Sequence, residues 1–313
     1  MKEYKFMVFT DLHYNMQEIG VDADMRLASI MERAELEEVA FVIQLGDFLH
    51  DPVKTGWLAK SYVNSPLPAY SALGNHDTDM VGMEYIMQLF KMNHNYYFFD
   101  AGGYRFIVLD PNYTVVQGKA VHYEPQQKRE NNRGFLPMEE LVWMKQVIME
   151  SPYPCILFSH QSLERTDGIS NRDDAWEIIC EANRKFKDSV ILCINGHYHC
   201  DDVNFINDVC CLDLNSSTYH WTDVENHYYP KEYYMRYPAA AHCIGYDTAL
   251  SAVISLKGTE QIMVQGCQGE FLFSPDEEEI LRLDQRRLSQ SRVCIPRIRN
   301  YRIDLKNRGI WRE

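Results

Sequence analysis

Seven apolar runs punctuate this chain, and nearly every one stops on an ionisable side chain: "YKFMVFTD", "FVIQLGD", "LPAYSALGNHD", "RFIVLD", "PCILFSH", "SVILCINGHYH" and "VCCLDLNSS". Runs without polar alternation read as strands buried on both faces, as in parallel sheets and sandwiches. Helical patterns lie between them, over about 24–39, 80–91, 137–150 and 173–186, the first with Leu27, Ile30, Met31 and Ala34 on one face. Pro137 suits a first helical turn, and the last pattern follows Asn171. Alternating strands and helices predict an α/β fold with helices covering sheet faces. The stretch "YYFFDAGGYRFIVLD", with Gly102 and Gly103 at its turn, adds an antiparallel hairpin, so the sheet is expected to be mixed. "ALSAVISLKGTEQIMVQG" reads as a second strand–turn–strand unit. "SPDEEEILRLDQRRLSQSRV" then reads as a charged surface helix capped by Ser274, before a basic, irregular tail.

With 313 residues and 46% hydrophobic content, the chain can bury one large core, and one main domain is expected. No uncharged apolar run reaches the roughly 18 residues that a membrane helix needs, and the first residues lack the pattern of a signal peptide. A soluble, cytoplasmic protein is expected, with no membrane partner. The nine cysteines lack CxxC spacing and fit a reducing compartment. Thirty-one basic against forty-five acidic residues leave a net charge of −14, which argues against extended nucleic-acid binding. An anionic substrate therefore needs a local positive source.

The strand ends supply the means to make one. In order they carry Asp11 and His13, Asp47, Asn75 with His76 and Asp77, His160, and His197 with His199. Loops after the carboxyl ends of strands in an α/β sheet converge on one edge, where ligands bind. The i, i+2 pairs Asp11/His13 and His197/His199 would point to the same side of extended segments. Imidazoles mixed with carboxylate and amide oxygens suit Mn, Fe or Zn. Two divalent ions against two carboxylates would leave a net positive site for a phosphate. Three polar side chains in a row at "GNHD" are costly to bury unless something binds them.

The ordered set D-x-H, GD, GNHD, H and GH-x-H resembles the calcineurin-like metallophosphoesterase family over roughly residues 4–217. The resemblance implies a two-sheet β-sandwich flanked by helices in four layers, here with residues 1–270 as the metallophosphoesterase domain and 271–313 as a C-terminal helix and tail. It implies Asp11, His13 and His199 on a first metal, Asn75, His160 and His197 on a second, and Asp47 bridging. His76 would face the substrate's leaving oxygen, and Asp77 would orient it. The implied chemistry is in-line attack on a phosphoryl group by metal-bridging hydroxide. The cofactors are expected to be two divalent ions, Mn or Fe first and Zn next.

Departures within the family narrow the expectation. His50 stands where purple acid phosphatases carry a Tyr ligand, and "GDFLHDP" has no Arg of the kind that Ser/Thr protein phosphatases use to grip phosphate. What remains resembles the bacterial cyclic-nucleotide phosphodiesterase and nucleotide-pyrophosphatase branch. A small phosphodiester, such as a nucleotide, is the expected substrate; a phosphomonoesterase, a nuclease and a non-catalytic metal-binding scaffold are the alternatives. A homo-oligomer stays open. His50 is a weak candidate for substrate contact. The irregular, aromatic-rich segment 217–238 contributes Tyr219 and Trp221 as candidates to stack on a base, with packing as the equal alternative.

Overall fold

Strand β1 (Tyr4–Phe9) turns Phe6 and Val8 toward one core and Met7 and Phe9 toward another. That two-sided burial explains why its sequence is a continuous apolar run rather than an alternating one. The computed structural model describes residues 3–14, 23–125, 133–222, 225–273 and 295–312.

In chain order the next elements are α1 (Ala23–Leu36), β2 (Val42–Gln44), α2 (Pro52–Val63), β3 (Ala69–Ser71), α3 (Met83–Leu89), β4 (Tyr97–Ala101) and β5 (Tyr104–Val108). A hairpin of β6 (Tyr113–Val116) and β7 (Lys119–His122) precedes α4 (Met138–Met149), β8 (Cys155–Ser159), α5 (Arg172–Lys185) and β9 (Val190–Asn195). Then come β10 (Asp202–Ile206), β11 (Val209–Asp213), β12 (Tyr219–Trp221), α6 (Lys231–Arg236), a 3-10 turn (Pro238–His242) and β13 (Cys243–Gly245). The chain closes with β14 (Ala252–Lys257), β15 (Gln261–Gln265), β16 (Cys267–Gln268), β17 (Arg297–Ile298), β18 (Tyr301–Asp304) and β19 (Gly309–Arg312).

Two sheets face each other. One runs β19-β18-β15-β14-β1-β2-β3 and the other β10-β11-β9-β8-β5-β4. Between them lies a core that includes Phe6, Val8, Ile43, Phe106, Ile156 and Phe158. The outer face of the first sheet packs on α1–α3 through Leu27, Ile30, Leu58 and Ile86, and that of the second on α4 and α5 through Leu141, Met144, Trp176 and Ile179. The mixed pairing read from the sequence and the four-layer sandwich implied by the family resemblance are the architecture observed. Each sheet contains a parallel run, β1-β2-β3 at one end of the first and β5-β8-β9-β11 in the middle of the second. Parallel strands end at the same edge, and the strand-end polar residues gather there.

Several local expectations change. Helix α2 has no clean stripe in sequence, because Gly56 interrupts it; a Cβ there would stand 3.1 Å from the Leu89 side chain of α3. Asp51 caps that helix, accepting from the Lys54 amide at 3.1 Å. Pro137 lies just outside α4 as its cap. Asn171 precedes α5 without capping it, and instead clasps the Leu136 backbone N–H and C=O, both at 2.9 Å. The tail expected to be irregular forms β18 and β19, which pair antiparallel onto β15 and extend the first sheet. Its apolar residues are too sparse to show as a run, yet Tyr301 and Ile303 are fully buried. The expected helix after Ser274 falls outside the described residues.

The segment 217–238, irregular in sequence, contains β12, paired with β13, and the short helix α6. Its rings pack mainly on one another, with Tyr219 and Tyr229 buried and Trp221, Tyr233, Tyr234 and Tyr237 against them. Ring-on-ring packing is a tertiary contact with no periodicity of its own.

Candidate metal centre

The seven residues proposed as ligands meet at the carboxyl edge of the parallel strands. They do not meet through strand alternation. Asp11, His13, Asp47, His197 and His199 all have left-handed backbones, with φ of 53°, 47°, 53°, 70° and 49°. Non-glycine residues avoid this region at about 1–2 kcal/mol each. The i, i+2 expectation for extended segments is therefore replaced: left-handed backbone aims each member, bringing Asp11 and His13 into one group and dividing His197 and His199 between two.

Two groups of ligand atoms form, Asp11, His13 and His199 in one and Asp47, His160 and His197 in the other, with the atoms of each group within 4.8 Å of one another. In the first group, His199 Nε2 lies 3.2 Å from Asp11 Oδ1 and 3.1 Å from His13 Nε2. In the second, His160 Nε2 lies 3.1 Å from Asp47 Oδ2, 3.2 Å from His197 Nδ1 and 3.0 Å from Asn75 Oδ1. Asn75 thus joins the second group. Asp47 Oδ2 also faces His13 Nε2 at 3.8 Å, so one carboxylate oxygen looks into both groups.

Hydrogen bonds behind the rings settle which atoms point inward. His199 Nδ1 donates to the Tyr219 carbonyl at 2.6 Å and His160 Nδ1 to the Leu45 carbonyl at 2.7 Å. Each ring then turns its Nε2 toward carboxylate and amide oxygens. Asp11 Oδ1 and Asn75 Nδ2 are buried there without a hydrogen bond. Lone pairs facing each other at about 3.0–3.4 Å match the edges of a coordination polyhedron with bonds of roughly 2.0–2.2 Å. The donor set fits a divalent ion in each group.

Electrostatics divide the imidazoles into two kinds. Burial, reinforced by neighbouring imidazoles, pushes His13 and His197 down to about 3, keeping both rings neutral as ligands require. For His160, burial acts downward, but Asp47 and Asp11 outweigh it and raise the ring to about 9. Asp11 and Asp47 are buried, which would raise them, yet the surrounding imidazoles hold both well below the ordinary carboxylate range. Two carboxylates that stay ionised at zero to 2% exposure call for positive charge nearby.

The supports include residues the sequence reading missed. Thr10 Oγ1 donates to Asp11 Oδ2 at 2.6 Å and the His197 amide donates to the same oxygen at 3.0 Å, leaving Oδ1 for the centre. The contact with His76 expected of Asp77 is made by Asp79, whose Oδ2 lies 2.6 Å from His76 Nδ1. Asp77 instead accepts backbone N–H groups from Asp47, Phe48, Leu49 and Gly74, at 3.1, 2.9, 3.3 and 2.8 Å. It staples two ligand loops together. Spacing along a turn decides this: an imidazole reaches a carboxylate three residues on more readily than its immediate neighbour.

His76 is partly exposed, and its ring lies 5.6 Å from that of His13. Tyr219 is only 1% exposed and packs at 5.1 Å from both His13 and His199, so it lines the floor and cannot stack on a substrate. Trp221 is partly exposed beside the same two imidazoles, at 6.4 and 6.3 Å. His50 sits 2.7 Å from His13 Nδ1, behind the ligand.

Among solved structures, the chain is similar to a dimetal phosphatase from Danio rerio, at 13% identity and a TM-score of 0.57, over 87% of this chain and 99% of that one. It is similar to PhoD at 10% identity and a TM-score of 0.56, over 100% of this chain and 72% of that one. A purple acid phosphatase, PPD1 from yellow lupin, gives 12% identity and a TM-score of 0.50 over 85% of this chain and 51% of that one, so the match spans about half the plant enzyme. At such identities the likeness is one of fold. No curated protein sequence matches the chain. The model of the calcineurin-like phosphoesterase family matches residues 4–201, a span that carries every ligand loop from Asp11 to His199, and the chain belongs to that family of phosphoric ester hydrolases.

Proposed function

We propose that this protein is a dinuclear metal-dependent phosphodiesterase that acts on a nucleotide or a similar small phosphodiester. The observation that carries the reading is the pair of adjacent ligand groups with Asp47 Oδ2 facing both. Asp11, His13 and His199 would hold one ion and Asn75, His160 and His197 the other, with Asp47 between them. Imidazole with carboxylate and amide oxygens favours Mn or Fe, then Zn. When bound, two such ions clamp a phosphoryl group and lower the pKa of water near neutrality.

The chain's own residues supply the rest. His76, held through Nδ1 by Asp79 with its ring 5.6 Å from that of His13, would donate a proton to the leaving oxygen. Trp221 offers a partly exposed ring for a base or other planar group. The net charge of −14 favours a small substrate over a nucleic-acid polymer. The eight described cysteines are all free, which supports a cytoplasmic setting. Phosphomonoester hydrolysis is the second reading, because the Danio rerio neighbour is a dimetal phosphatase.

Metal-depleted protein, reloaded with Mn, Fe or Zn and assayed on matched mono-, di- and pyrophosphate esters, tests both readings. Diester turnover that requires metal supports the proposal, and faster monoester turnover transfers it to the second reading. Hydrolysis of bis-p-nitrophenyl phosphate that survives full chelation removes the metal mechanism altogether.

A further inference from the structure

Three imidazoles of the centre have a partner behind the ring, and one of the partners is unlike the others. His199 and His160 donate from Nδ1 to backbone carbonyls, of Tyr219 and Leu45. His13 Nδ1 instead meets a side chain, the Nε2 of His50, at 2.7 Å. Two ring nitrogens at that distance hold one proton between them. His13 Nε2 faces the ligand group, 3.1 Å from His199 Nε2 and 3.5 Å from Asp11 Oδ1. A neutral His13 that ligates through Nε2 carries its proton on Nδ1 and donates it to His50.

The placement of His50 follows from its loop. It stands three residues after Asp47 and one before Asp51, the cap of α2. Tyr14 and Leu49 form a parallel bridge, and the His50 amide donates to the Tyr14 carbonyl at 3.4 Å. The bridge holds the residues after both ligand turns in register, which brings the two imidazoles together at 4.8 Å between ring centres. His76 completes a triangle of imidazoles, its ring 5.5 Å from that of His50 and 5.6 Å from that of His13.

We propose that His50 is a positioning residue for the first metal subsite, acting through His13, rather than a substrate contact. It fixes the tautomer and tilt of His13, against whose ring it packs. This rests on the proposed metal-dependent function. A carbonyl acceptor, as behind His160, is fixed by the backbone, whereas this acceptor can be replaced by mutation.

The experiment titrates Mn²⁺ into chelator-treated wild type, His50→Ala and His50→Gln by calorimetry, and reads imidazole tautomers by ¹⁵N NMR in the same proteins without metal. Loss of such an outer partner weakens metal affinity by about 10–100-fold. His50→Ala is expected to lose that much at one of two sites while retaining the other. His50→Gln, whose amide oxygen can accept the same proton, is expected to recover most of it. With Mn²⁺ saturating, kcat should fall and KM for the ester should change little. Wild-type affinity at both sites in His50→Ala, with a raised KM, overturns the proposal and makes His50 a substrate group. A His13 tautomer protonated on Nε2 in the metal-free wild type overturns it as well. If the wild type takes up no metal while His13 carries its proton on Nδ1, the dinuclear function fails and the His50–His13 assignment stands.

Discussion

Asp77 and Asp79 are two residues apart and do different work. Asp79 lies against the His76 ring, whereas Asp77 holds four amides of the ligand loops. Replacing Asp79 by Asn should leave metal content unchanged and lower kcat, more for alkyl than for p-nitrophenyl esters, because a poor leaving group depends on the proton that His76 delivers. The loss should stay below the roughly 10²–10⁴-fold that a general acid contributes, the value expected for His76→Ala. Equal losses on both ester types would assign Asp79 to substrate positioning. Asp77→Asn should behave otherwise. The amide oxygen can still serve Phe48 and Leu49, but its NH₂ cannot accept from Asp47 and Gly74. Each buried N–H left without an acceptor costs about 1–3 kcal/mol, so denaturation midpoint and metal content should fall together. Asp47→Asn removes a direct ligand, and both metals and turnover should be lost with the fold retained; near-normal turnover would end the bridging assignment.

At the scale of the element, strands deliver the ligands and tight turns aim them. The turns pack so closely that side chains are excluded. A Cβ on Gly74 would stand 2.1 Å from the Asp47 amide nitrogen, and one on Gly196 2.0 Å from Thr10 Oγ1. Backbone cannot retreat from a clash of that size without moving the ligand it carries. Gly74→Ala should therefore lower metal affinity at both subsites, as calorimetry would show, even where circular dichroism reports a folded protein. Wild-type affinity in that variant would mean that the loops are far softer than their contacts imply. Five ligand candidates in left-handed conformations make the same point, since strained backbone persists only where the surroundings over-determine it.

The whole molecule depends on contacts between distant parts of the chain. Tyr301 of β18 donates to Asp201 Oδ2 at 2.8 Å, two residues past the ligand His199, and so fastens the last part of the first sheet to a ligand loop of the second. Tyr301→Phe should cost about 1–3 kcal/mol by leaving that carboxylate short of a donor, read as a lower midpoint in urea. A second tie is the buried pair of Asp110, at the end of β5, and His122 of β7, 3.0 Å apart. Burial pulls His122 down, but Asp110 outweighs it and raises the ring above 6.5; Asp110 itself is buried yet held below 3.8, chiefly by His122. A raised imidazole contributes stability that is complete below about pH 6.5 and lost as pH climbs through the raised value. The lowered carboxyl sets the acid edge, where stability falls as pH drops through its depressed value. Urea midpoints across pH should show this plateau, and His122→Gln should flatten its alkaline slope. The plateau's survival in that variant would place the titrating groups elsewhere. Much of this protein was legible in residue order alone. Buried parallel strands must be apolar on both faces, and a polar residue ending such a run must sit at the sheet edge, so the α/β pattern and the gathering of strand-end polar residues follow from local chemistry, while the two-sheet sandwich and the choice of Asp11, His13, Asp47, Asn75, His160, His197 and His199 as ligand candidates were implied by the family resemblance. Tertiary structure alone decided that Asp79 rather than Asp77 holds His76, that Tyr219 is floor while Trp221 is partly open, that His50 backs His13, and that the sparse tail completes a sheet. Each of these depends on which groups meet after the chain has turned back on itself, and no periodicity records a meeting between residues that are distant in sequence or held in left-handed turns.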